Sequence, residues 1–296
     1  MNEIVKNRAE LVFLYDVKDA NPNGDPLDEN KPRIDEETGI NIVTDVRLKR
    51  TVRDYLMNFK GEEIFIKEIR KEDGNLETKE DRMNDLMIKE PNDLTNKCID
   101  IRLFGATAAI KEKTITFTGP VQFRFGRSLH RVVLEFIKGT TVMPSKEAKG
   151  QGTFTESYIL PYSLICFYGI INENAGKHTT LKENDIKLLL DGIWNGTKNL
   201  ISRSKAGQMP RLLMKITYNE NNYHIGDLDK MIKLLPKKNE EEIRDIYDFS
   251  LDVTELVDVL NQNKSKIESI GMKVDERLNI DFGGLDKGLK RYEIKF

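Results

Sequence analysis

Apolar and aromatic residues run almost unbroken through Leu11–Val17, a stretch of strand length, and the turn cluster Asn21-Pro-Asn-Gly-Asp-Pro26 follows it. Thr44 then stands where a helix N-cap is expected. Behind it Leu48, Val52, Tyr55, Leu56 and Phe59 recur at i, i+4, i+7, i+8 and i+11, the stripe of an amphipathic helix. Arg47, Lys49, Arg50 and Arg53 fall off that stripe. Residues 61–97 are highly charged, carry the turn signal Gly74-Asn75, and read as an inserted helical or irregular segment.

Farther along, Ile115, Phe117, Val121, Phe123 and Phe125 occupy odd positions, while Thr114, Thr116, Thr118, Gln122 and Arg124 occupy even ones. That is the period of strands with one buried and one polar face, interrupted at Gly119-Pro120. By the same parity Phe123 and Phe125 are both expected in the core. Val132–Ile137 reads as a strand, 138–151 as a polar, basic projecting loop or hairpin, and Tyr158–Ile171 as a long buried strand or strand pair. Thr180-Leu-Lys-Glu183 matches a capping box opening a helix whose apolar face carries Ile186, Leu189, Leu190, Ile193 and Trp194, with Asn195-Gly196 as its stop. A last alternation runs Leu212, Met214, Ile216, Tyr218.

With the insertions removed, the order β, α, β, β, β, α, β leaves a ferredoxin-like or RRM-like core, an antiparallel sheet with helices on one face. The fold class expected is α+β. The polar faces of such strands commonly hold single-stranded RNA.

Charge sharpens this picture. The chain has 296 residues, with 47 basic and 49 acidic side chains and a net charge of −2, so it is not a strongly basic protein. The sum conceals a partition: residues 219–263 hold eleven acidic against five basic side chains, leaving +4 on the remainder. That acidic stretch is expected to be helical. Residues 192–219 contain Lys198, Arg203, Lys205, Arg211 and Lys215 and no carboxylate at all.

Several chemistries lack their residues. Met1–Glu10 has no leader pattern, and the uncharged run Ser157–Asn172 is short for a span and holds Pro161 and Gly169. A cytoplasmic protein with no membrane partner is the expectation. Cys98 and Cys166 are the only cysteines, so neither a disulfide framework nor a cysteine zinc site can be built. His130, His178 and His224 share no ligand spacing. Asp19-x-Asn21-x-Asn23-Gly24 mimics the opening of a calcium loop, but its twelfth position is Asn30 where a bidentate Glu is required. No nucleophile elbow or phosphate loop occurs. No metal, cofactor or catalytic constellation is expected.

Nucleic-acid features are better represented. Arg47, Lys49, Arg50 and Arg53 form a basic helix flank; Arg203, Lys205 and Arg211 surround the Ser-Lys-Ala-Gly207 loop; and Lys146, Lys149 and Gln151 lie in the projecting loop. Such dispersed cations suit a groove that follows phosphates.

Longer motifs then carry a resemblance. Leu14-Tyr-Asp-Val-Lys-Asp-Ala-Asn-Pro-Asn-Gly-Asp25, the segment from Val43 to Tyr55, Asp100-Ile-Arg-Leu-Phe-Gly-Ala106 and Thr118-Gly-Pro-Val-Gln-Phe-Arg-Phe-Gly-Arg-Ser-Leu-His130 together resemble the RAMP-superfamily backbone subunit of type I CRISPR effector complexes (Cascade), in the manner of subtypes I-B and I-C. The resemblance implies a right-hand architecture. Residues 1–59, 100–137 and 158–218 would form an RRM-like palm, 60–99 helical fingers and 138–157 a hairpin thumb, with the acidic 219–296 region packed on the palm. It implies a non-catalytic subunit whose copies line up along a CRISPR RNA, beside other Cascade subunits, and present guide segments to a target DNA strand. Carried over by position, RNA contacts would come from Asn21, Asn23, Arg47, Lys49, Arg50, Arg53, Gln122, Arg124, Arg127, Lys146, Lys149, Gln151, Arg203, Lys205 and Arg211. A metal-dependent RNA endonuclease of the same superfamily, using Asp19, Asp25 or Asp35, stays open as the alternative.

Overall fold

The computed structural model describes residues 3–110, 113–140 and 154–296. Along the chain run β1 (Ala9–Ala20), β2 (Ile40–Val43), α1 (Asp45–Lys60), α2 (Lys79–Asp85), α3 (Pro91–Lys97), α4 (Ile99–Phe104), β3 (Gly105–Ile110), β4 (Lys113–Thr118), β5 (Val121–Phe123), β6 (Gly126–Arg131) and β7 (Glu135–Thr140). There follow β8 (Phe154–Ile171), α5 (Glu173–Thr179), α6 (Glu183–Lys198), β9 (Met209–Tyr218), β10 (Lys233–Pro236), β11 (Phe249–Asp252), α7 (Thr254–Gln262), β12 (Ile267–Val274) and β13 (Arg291–Glu293). The architecture is mixed α+β.

Nine strands form one sheet, ordered β13-β12-β9-β1-β8-β6-β2, with β5 and β7 also pairing with β8. Every pairing in it is antiparallel except β12 with β13. The 18-residue β8 organises the sheet: one edge meets β1 in the register Leu14↔Cys166, and the other takes β5, β6 and β7 in turn.

Both faces of the central strands are buried, because β1 is apolar in both parities. Leu11, Phe13, Tyr15 and Val17 face one core with Leu48, Val52 and Leu56 of α1 and Ile186, Leu189 and Ile193 of α6. Val12 and Leu14 face a second core with Met214, Ile216 and Tyr218 of β9 and Phe249, Leu256 and Leu260 from the C-terminal region. The expectation of a helical acidic C-terminal region is therefore corrected. Its one α-helix among the described residues is α7, and β12 extends the main sheet along β9. Net charge carried no information about those strand pairings, which join residues far apart in sequence. Residues 219–296 cover that second face of the central strands.

A third core gathers Phe65, Met83, Leu94, Cys98 and Ile101 with Ile115 and Phe117. The hairpin β3–β4 is a separate two-stranded sheet, so the alternation at 114–118 buries its apolar face against the inserted helices rather than in the main sheet. Phe123 is buried, but β5 ends there and Phe125 is 54% exposed, which corrects its core assignment.

Two helix boundaries also move. Thr180 sits at the left-handed C-cap of α5 and its hydroxyl donates to the Thr179 carbonyl, so it does not cap α6; α6 starts at Glu183, with the Asp185 carboxylate accepting the Lys182 N–H. Gly196 does not end α6. It lies where α6 crosses α1: a Cβ there would stand 3.0 Å from the Tyr55 Cβ.

Candidate nucleic-acid interface

The site forms where three segments meet: the turn after β1, the start of α1 and the loop before β9. Asn23 holds the first two together. Its Oδ1 accepts both the Thr44 N–H and the Thr44 hydroxyl at 2.9 Å, and Thr44 in turn caps the Arg47 N–H. Asn21 holds the turn to the loop, its N–H donating to the Ser204 carbonyl at 2.8 Å and its side-chain amide to the Asn30 carbonyl. The Asn21 Oδ1 is buried without a hydrogen-bond partner. Both asparagines act in this structure as braces for the site.

Two cations flank this junction, Arg47 on α1 and Lys205 on the loop, near enough for Arg47 to act on the charge of Lys205. Arg47 donates to the Thr51 hydroxyl at 3.0 Å, while its Nε is buried without a partner. Lys205 is half-buried and meets the Ser204 hydroxyl at 3.2 Å. Neither has a carboxylate within ion-pair distance among the described residues. Burial lowers the Lys205 ammonium below its usual value, and the positive charge of Arg47 lowers it further. Burial is likewise the main cause lowering Arg47. Asp54 attracts Arg47 from a distance, but neither cation has an ion-paired carboxylate among the described residues, a cost that an external anion would relieve.

Arg203 is exposed on the same loop. It lines a cleft of about 460 Å³ with Asp19, Asn21, Glu29 and Tyr158. Gly207 takes a φ of +82° with no atom near its absent Cβ, so the backbone turns left-handed and stays open to approach. From the other side rise the arms of the β7–β8 hairpin, paired from Glu135↔Ile159 to Thr140↔Phe154. Lys146, Lys149 and Gln151 lie outside the described residues.

The remaining sequence candidates are occupied within the fold. The Lys49 ammonium bonds Asp45 at 3.0 Å and the Gln122 carbonyl oxygen at 2.9 Å, tying α1 to β5. Arg50 is exposed but paired with both Asp54 oxygens at 3.0 Å. Arg53 is held at 3.0 Å by the buried Asp100, whose oxygens also accept the Phe65 and Ile66 N–H groups. Arg124 pairs with Asp227 and lies over the Tyr168 ring. Arg127 is exposed, 3.5 Å from Asp35. Arg211 is buried between Asp16 at 2.7 Å and Asp275 at 3.2 Å. Arg53 and Arg211 thus serve as internal counter-ions in this structure, each paired with a buried carboxylate, Asp100 and Asp16.

One exposed aromatic escaped the sequence reading. Phe125 lines a separate cleft with Lys31, Arg33, Arg127 and Leu134. The break at Gly126, where a new strand begins, was the available signal that parity would not carry through.

The three aspartates of the nuclease alternative are separated in role. Asp25 accepts from Arg33 and from the Leu27 N–H, and Asp35 accepts the Glu37 and Thr38 N–H groups, both as turn residues. Asp19 opens on the Arg203 cleft. Among the described residues no group of three or more His, Cys, Asp or Glu side chains is arranged to hold a metal ion. None of the described helices is long and apolar enough to cross a membrane.

Known proteins match this arrangement over nearly its whole length. The family model described as CRISPR-associated protein Cas7 matches residues 7–254. A Haloferax volcanii relative, also described as CRISPR-associated protein Cas7, is 34% identical over 309 residues, covering 94% of this chain and 89% of its own. Among solved structures, a chain from a CRISPR RNA-guided surveillance complex in a pre-nicking state aligns with a TM-score of 0.57 and 13% identity, covering 97% of this chain and 96% of that one. A chain from another CRISPR RNA-guided surveillance complex aligns with a TM-score of 0.56 and 16% identity, covering 96% and 94%. At these identities the two solved structures share its fold.

Proposed function

The chain belongs to the CRISPR-associated Cas7 family, and from that premise we propose that it is a guide-RNA-binding backbone subunit of a type I effector complex. The observation that carries the reading is the Arg47–Lys205 pair, two cations with no ion-paired carboxylate among the described residues, at the mouth of α1 beside the open Arg203–Gly207 loop. A phosphate seated there would supply the missing counter-charge, and the braces Asn21 and Asn23 would keep the three segments in register for it. In this reading the main sheet with α1 and α6 is an RRM-like palm, the 60–99 segment the fingers, and the β7–β8 hairpin a thumb. Successive copies share one RNA, act beside other subunits in the cytoplasm, and leave guide segments free to pair with target DNA. The subunit itself is a scaffold rather than a nuclease.

Gel-shift titration of single-stranded RNA over a salt series tests this reading. Wild-type protein should bind with weak sequence preference and with affinity that falls as salt rises. Arg47→Ala with Lys205→Ala should make the slope of log affinity against log salt shallower by about 0.7 for each phosphate no longer neutralised. An unchanged slope in the folded double variant would count against the assignment. Labelled RNA incubated with magnesium or manganese should stay intact; cleavage abolished by Asp19→Ala would favour the nuclease alternative.

A further inference from the structure

A second site lies at the other side of the molecule. A groove of about 430 Å³ runs between α6 and residues 292–296. Ile186 and Leu190 form one wall, and Tyr292, Ile294 and Phe296 form the other. Lys215 of β9 completes the lining. Tyr292 is fixed there by its neighbour in the parallel β12–β13 pair, since it lies over Gly271, where a Cβ would come within 2.5 Å of its ring.

Lys215 is an unusual resident. It shares the parity of Leu213, which packs in the core beneath α1 and α6, and it sits between Leu11 and Gly271 in the sheet. Its ammonium makes no hydrogen bond or ion pair with any described residue. Burial depresses its ammonium, while Glu183 and Glu268 act on it only through longer-range attraction. Lys187 from α6 and Glu293 and Lys295 from the last residues complete the charges around the groove. An ammonium that lines an apolar groove and has no partner of its own is open to an anion that enters the groove.

We propose that this groove binds a carboxylate carried on an apolar body, with Lys215 as its counter-ion. The walls supply apolar surface for the body, and the volume falls in the range of small-ligand pockets. Glu183, Glu268 and Glu293 would repel a polyanion, so a nucleic-acid backbone is a poor occupant whereas one carboxylate is matched by one ammonium. The site is independent of the RNA reading. Lys215 stands six residues along β9 from Met209, the end adjoining the Arg203–Gly207 loop, or roughly 20 Å at the rise of a strand.

The probe is hydrocinnamate, titrated into the full chain and followed by NMR shifts of the backbone amides of α6 and β13, with hydrocinnamyl alcohol as the uncharged control. The acid should bind with a Kd of roughly 0.1–1 mM and the alcohol at least about tenfold more weakly. Affinity for the acid should fall at alkaline pH as Lys215 loses its proton, and Lys215→Met should weaken the acid to the level of the alcohol. A short peptide ending in a free Phe carboxylate, compared with its amide, distinguishes a peptide terminus from a free acid as the source. Equal binding of acid and alcohol to the wild-type protein would overturn the proposal without recourse to any variant. So would acid binding retained by folded Lys215→Met.

Discussion

Arg203 and Arg211 lie on one uncharged-to-basic stretch and look alike in sequence, yet the first is exposed on the loop and the second is enclosed between Asp16 and Asp275. Burial pushes the Asp16 carboxyl upward, and the hydrogen bond from Arg211 opposes that shift. Arg211→Met should therefore leave the buried Asp16 carboxylate without its cation, beside an Asp275 that keeps only Arg277, and destabilise the fold by about 3–5 kcal/mol. Denaturant unfolding reads that loss, while RNA affinity per folded molecule should stay unchanged. A large RNA effect with little loss of stability would return Arg211 to the interface. The residue types of the site were legible in the sequence, but their partners were not. A guanidinium serves phosphate or a buried carboxylate equally well, and Asp16, Asp100 and Asp275 reach Arg211 or Arg53 only through folding.

At the scale of elements, local signals survived wherever neighbours in sequence decided the outcome. The Thr44 cap formed as expected because capping needs only the next few residues, and the stripes of α1 and α6 are buried as their spacing required. Phe59 is the exception on α1, 61% exposed one residue before the helix ends and stacked on Tyr55. Gly196 misled because its reason is tertiary. Gly192 and Gly196, one turn apart, let α6 approach Val52 and Tyr55 of α1 closely. Gly196→Val should force the helices apart and cost about 1–3 kcal/mol, seen as a lower denaturant midpoint. An unshifted midpoint would mean the crossing has slack that the 3.0 Å approach denies.

Over the whole molecule, the acidic C-terminal region explains the charge balance. Its carboxylates take up cations of the sheet and its borders: Asp227 meets Arg124, Asp245 meets Lys18, Glu241 meets Arg131 and Asp275 meets Arg211. It is also anchored at depth, where the buried Glu10 carboxylate accepts the hydroxyls of Tyr168 and Tyr218 and the N–H groups of Ile225 and Gly226. The face it covers is closed and several of its cations are paired, and in the proposed function the anionic strand settles instead at the Arg47–Lys205 junction. This long-range cover was the part of the fold least visible in the sequence, because a strand such as β12, added to the sheet beside β9, has no local signature distinct from any other apolar run. The most direct test is an electron-microscopy reconstruction of the protein assembled on a single-stranded RNA. The account predicts repeating copies along one strand, with phosphate density against Arg47 and Lys205 in every copy. RNA lying instead across the α7 and β10–β11 side, or density at Arg47 and Lys205 that is empty in a filled complex, would contradict it.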